Sequence, residues 1–133
     1  MRLEFRPIPF LLLALAACHG TFASEPEIVP NEPAQLVVGQ SATVRGTPLG
    51  IRMDAISDSR CPAQVQCVWA GEAATVVTLM GIGAARTDTL KLRGTPQTVT
   101  YGDYRITLVD VQPVPRAPQD STIKSATLTV STP

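Results

Sequence analysis

The chain is poor in the residues from which active sites are built. Its 133 residues include one histidine, His19, and three cysteines, and aromatics make up 5%. A lone histidine close behind the N-terminal apolar run offers no general base to a serine or cysteine nucleophile. Formal charge is zero at pH 7, with eleven basic groups against eleven acidic ones. No basic field therefore exists to attract nucleic acid or anionic lipid. Scarce aromatics leave few platforms on which bases or sugars could stack. What remains for catalysis is a carboxylate set from Asp54, Asp58 and Glu72, and carboxylates at turns usually stay solvated. The spacing of an EF-hand calcium loop is absent. The expectation is a protein that is not an enzyme, with no cofactor, no metal and no nucleic-acid partner.

What is present begins at the N-terminus. Arg2 and Arg6 precede "FLLLALAA", an apolar run of about eight residues and far short of a bilayer-spanning helix. It ends in "LAAC", Leu15 to Cys18, which resembles a bacterial lipobox. That resemblance implies acylation of the Cys18 sulfur, a mature chain starting at Cys18, and a membrane as first partner. Ordinary signal cleavage after Ala23 is the alternative, releasing a soluble periplasmic or secreted chain. Both imply export. His19 rather than aspartate behind the anchor favours the periplasmic face of the outer membrane.

Export decides the cysteine arithmetic. Cys18 is lipidated or removed, leaving Cys61 and Cys67 as an even pair in an oxidising compartment. Five residues separate them, where a C-x-x-C redox pair has two. A zinc site would need two further ligands, and the only histidine is His19. The pair is expected to form a disulfide closing a small loop, contributing roughly 2 to 2.5 kcal/mol by chain entropy.

Removal of residues 1–17 leaves nine basic and ten acidic groups. The next segment, 18–34, has three prolines and three glutamates. It is expected to be a tether of roughly 20–25 Å, holding a domain at 35–133 off the membrane. From Gln35 the text turns to short β-rich runs divided by turn residues. In "LGIRMDAI", Leu49, Ile51, Met53 and Ala55 share one face, with Arg52 and Asp54 opposite. "AATVVTLM" (73–80) is apolar on both faces and suits an interior strand. "RTDTLKLR", "YRITLVDV" and "SATLTV" alternate. Seven or eight such runs in about 100 residues predict a single antiparallel β-sandwich of immunoglobulin-like proportions, with a small β-barrel as the alternative. "QPVPRAPQDS" (112–121), with three prolines, is excluded from a central ladder and is expected to form a stiff exposed connection.

The densest stretch is "DSRCPAQVQCVWAGEA", residues 58–73. A "DSRCP" run, then a cysteine followed two residues later by tryptophan and then by glycine, resembles a family of small bacterial secreted proteins and lipoproteins of unassigned function. The match covers these sixteen residues, and the resemblance implies an exported β-domain with no activity attached. Six residues form the candidate binding loop: Asp58, Arg60, Gln64, Gln66, Trp69 and Glu72. Asp58 suits an Asx-turn, and Arg60 can pair with Asp58 or Glu72. Trp69 is expected to roof the core beside the disulfide, with ligand stacking as its other role. Gln64 and Gln66 face outward inside the closed ring. The function expected is a non-catalytic, lipid-anchored envelope module that presents this loop to an envelope protein or a small ligand. The alternatives are a purely structural envelope lipoprotein and an inhibitor of an exported hydrolase.

Overall fold

The computed structural model describes residues 24–117 and 120–133. The lipobox, Cys18 and His19 lie outside them. Nine strands follow one another: β1 (Glu27–Ile28), β2 (Ala34–Val37), β3 (Ser41–Val44), β4 (Gly50–Asp58), β5 (Ala73–Met80), β6 (Arg86–Lys91), β7 (Thr98–Tyr101), β8 (Tyr104–Gln112) and β9 (Ser125–Ser131). They form a five-stranded sheet, β1-β3-β4-β5-β6, and a four-stranded sheet, β2-β9-β8-β7. The two sheets pack together as a β-sandwich, with no closed barrel and no helix among the described residues. The expected fold class is the one observed.

Each sheet turns one face inward because its strands alternate. Ile51, Met53, Val77, Leu79 and Leu90 of one sheet meet Leu36, Ile106, Leu108, Leu128 and Val130 of the other, all buried. Burial of each such side chain contributes about 1.5–3 kcal/mol relative to exposure. β5 lies between β4 and β6 and is buried over most of its length, as its two-sided apolar text requires.

Two irregularities change which residues point inward. In β4 the register against β5 shifts between Met53 and Ala55. One extra residue at such a bulge reverses the parity of everything after it. Ala55, expected beside Met53 in the core, is therefore exposed, while Ile56 and the Asp58 side chain turn inward. In β8 a matching shift between Leu108 and Asp110 leaves Val109 exposed and buries Val111.

Part of the segment expected to be a tether, 18–34, belongs to the sandwich. Glu27 and Ile28 pair in parallel with Thr43 and Val44, and Ile28 is fully buried. The Asn31 amide donates to the Val130 carbonyl at 2.8 Å, and β2 starts at Ala34. The domain thus begins by Glu27, not at residue 35. Prolines 26, 30 and 33 flank β1 rather than prevent it, because an edge strand of two residues needs few donors.

Strand directions sort the connections into two ends. Turns 45–49, 81–85 and 102–103 lie at one end, and segments 38–40, 59–72, 92–97 and 113–124 at the other.

Candidate functional site

The long loop 59–72 leaves β4 and returns into β5 on a hydrogen-bonded stem. Ser59 N–H donates to the Glu72 carbonyl at 2.8 Å, the Ser59 hydroxyl accepts from Glu72 N–H at 3.1 Å, and Cys61 N–H donates to Ala70 at 3.2 Å. The two sides approach so closely that Gly71 has no substitute. Its φ is +64°, and a Cβ there would stand 1.8 Å from the Ser59 carbonyl oxygen. Beyond the stem, Cys61 and Cys67 form the expected disulfide, with Cα atoms 5.8 Å apart.

Beneath the stem sits a buried carboxylate. The β4 bulge aims Asp58 inward, and its side chain is 0% exposed. The Arg60 guanidinium grips it in bidentate fashion, Nε to Oδ1 at 2.8 Å and Nη2 to Oδ2 at 2.6 Å, and the Arg60 backbone N–H donates to Oδ1 at 3.2 Å. Lys124 Nζ reaches Oδ2 at 3.2 Å from the other long connection. Both cations have further work: Arg60 Nη2 donates to the Val111 carbonyl at 2.7 Å and Lys124 Nζ to the Pro113 carbonyl at 2.9 Å. One carboxylate therefore ties the loop, the end of β8 and the 113–124 connection together.

Burial pushes the Asp58 carboxyl up. The hydrogen bonds from Arg60 and Lys124 outweigh that effect and hold it below the ordinary aspartate range. The bond it donates to Asp58 raises Arg60 in turn. The 113–124 connection is correspondingly less exposed than its prolines indicate: Pro115 is buried and its carbonyl accepts from Ala63 N–H at 3.2 Å. It carries its own brace. The Thr122 hydroxyl and N–H, with the Arg116 N–H, bring Asp120 down to about 2.

The loop is open to solvent, with an apolar pair between the disulfide ring and the stem. Trp69 does not roof the core: it is 82% exposed, and Val68 beside it is 93% exposed. The core is already closed by strand residues, and the disulfide sits out on the loop rather than over it. Gln64 and Gln66 are exposed, as expected. Glu72 pairs with Lys91 of β6 at 3.1 Å and remains half exposed. Of the six candidates, Asp58 and Arg60 are thus framework, Gln64, Gln66 and Trp69 are displayed, and Glu72 stands at the rim. Lys124 carries no signal in the sequence, because nothing local marks a partner sixty-six residues away. Val68 did carry a signal, as half of an apolar pair within a polar loop.

The three carboxylates considered for catalysis do not converge. Asp54, on the outer face of β4, takes the Thr78 hydroxyl at 2.5 Å and Arg52 Nε at 2.6 Å, and these lower it. Asp58 is consumed by the cluster, and Glu72 faces Lys91. A cleft of about 350 Å³ between the loop and the proline-rich connection is lined by Asp58, Arg60, Pro115, Asp120 and Lys124, but not by Asp54 or Glu72. Among the described residues, no group of three or more His, Cys, Asp or Glu side chains could hold a metal ion.

Comparisons with protein-family models, with curated proteins and with solved structures return no match to this chain. The family resemblance of residues 58–73 therefore stands on its motif alone.

Proposed function

We propose that the protein is a non-catalytic, lipid-anchored module of the bacterial cell envelope that presents the braced loop 58–73 for binding. One observation carries this reading: the loop is fixed by a hydrogen-bonded stem, a disulfide and a buried ion cluster, while Val68 and Trp69, between Cys67 and the stem, stand in solvent. Large apolar side chains held in water add little to folding stability. A loop fixed in advance loses less conformational entropy when it meets a surface. The separate engagement of Asp54, Asp58 and Glu72 supports the non-catalytic part. Arg2, Arg6, the apolar run and Leu15–Cys18 support export and anchoring.

The test is fractionation of cells producing the full chain, followed by retention of the solubilised protein on immobilised envelope material. The chain is expected in the membrane fraction, and Cys18→Ser is expected to move it to the soluble one. Trp69→Ser and Gln64→Ala should weaken retention with little change in melting temperature. Retention identical across all variants would leave only a structural role and sink the proposal.

A further inference from the structure

We infer that the surface addressed by the loop is the bilayer carrying the anchor, with Val65, Val68 and Trp69 entering the lipid interface. This names the partner for the lipid-anchored reading above and rests on it.

β1 runs parallel to β3, and β3 starts at Ser41, directly after the 38–40 turn. The polypeptide thus enters the sandwich from the end that carries the long loop. Cys18 precedes Ser24, the first described residue, by six peptide steps. At about 3.3–3.6 Å per step, that chain reaches roughly 20 Å at most. An anchor on Cys18 therefore holds the loop-bearing end against the membrane and leaves the opposite end outermost. The long stand-off expected for a tether of residues 18–34 disappears once Glu27 and Ile28 belong to the sheet.

The loop-bearing end also displays apolar side chains. Val37, Val38, Val65, Val68, Trp69, Val114 and Ile123 are exposed there, and none of the exposed large apolar side chains lies in the turns opposite. Val37, Val38 and Ile123 line one shallow cleft, and exposed apolar side chains gathered at one end suit a surface that is covered. The ten residues Cys61–Ala70 contain no charged side chain, so insertion desolvates no ion. Indole, apolar in body with one N–H donor, partitions to the boundary between headgroups and acyl chains. Gln64 and Gln66 offer neutral amides at headgroup depth.

Few side chains enter the membrane, so the free domain would bind weakly. Tethering converts insertion into an intramolecular step at millimolar effective concentration, and weak contacts then suffice. Membrane attachment commonly combines a lipid with a second signal of this kind.

Trp69 is the only tryptophan in the chain, so its emission reports the loop without labelling. Full-length protein purified from membranes is reconstituted into phosphatidylethanolamine–phosphatidylglycerol vesicles, with and without brominated acyl chains. The intact mass of the mature chain reads acylation of Cys18 separately. We expect blue-shifted emission and loss of intensity in brominated vesicles. Val68→Asp should reduce that quenching while the melting temperature stays put. An acylated chain whose Trp69 emits as in water, or is blue-shifted yet unquenched because it packs on protein or on a second copy, overturns this inference and leaves the anchored reading intact. A chain without lipid at Cys18 overturns both.

Discussion

The two ends of the sandwich are built on different principles. At one end the connections are short: 102–103 closes a tight hairpin, 45–49 and 81–85 are only a little longer, and no large apolar side chain is exposed in any of them. Turns of that length are stabilised by their own backbone geometry and cost little entropy to close. At the other end two connections of a dozen residues or more meet, and closing both costs more. Covalent and ionic braces are found where those long segments meet: the Cys61–Cys67 disulfide and the Asp58–Arg60–Lys124 cluster. The contrast teaches that rigidity here was added at the end that also carries the open apolar pair.

The strongest way to break the contrast is to remove its buried charge. Asp58→Ala takes from Arg60 and Lys124, 19% and 13% exposed, the buried carboxylate that both of them contact. Loss of one partner from such a site costs about 3–5 kcal/mol, against about 0–1 kcal/mol for Glu27→Ala, whose pair with Arg45 is solvent-exposed. Urea titration of both variants checks the ratio, and equal losses would deny that the ends differ. The same group can be removed by pH. Its folded pKa lies below the unfolded value, so its contribution is complete above about pH 4 and is lost as pH falls through the lowered folded value. Melting temperatures of wild type and Asp58→Asn should converge as acid is added, and a constant gap would contradict this account.

Most of the sandwich was legible because its strands alternate cleanly, and β5 announced an interior strand by being apolar on both faces. The disulfide was legible from the cysteine count and the expectation of export. Three things were hidden for physical reasons. A β-bulge leaves no trace in an alternating pattern, so Ala55 is assigned to the core from sequence and Asp58 to an exposed turn. Proline and glutamate around residues 25–34 mask a two-residue edge strand whose apolar member, Ile28, is fully buried. Trp69 looks like a core residue because indole usually is one, and only the position of its backbone outside the strands decides otherwise. The hidden strand is directly testable. Ile28→Ala should cost about 2–5 kcal/mol, as for other large-to-small core changes, measured by thermal or urea unfolding. A residue in a free tether would register nothing.

Next in size is the covalent brace. Cys61→Ser with Cys67→Ser should lower stability by roughly 2 kcal/mol, set by the short loop it closes. The loss should be seen as faster hydrogen exchange in residues 61–70, while the 45–49 and 102–103 turns stay protected. Uniform loosening of both ends would show that the disulfide serves the whole fold rather than the loop.

The smallest expected effect on stability discriminates most. Val68→Ser and Trp69→Ser remove apolar surface that is already in water, so each should change unfolding free energy by less than about 0.5 kcal/mol. If instead either variant melts like a core mutant, the indole or its neighbour is packed against the body of the protein, and the braced end is only a well-fastened loop. If the variants fold as well as wild type and lose only attachment, two properties have been separated at neighbouring positions. Asp58 and Arg60 would then secure the shape of the loop and Val68 and Trp69 its use, which is the division of labour that the contrast between the two ends requires.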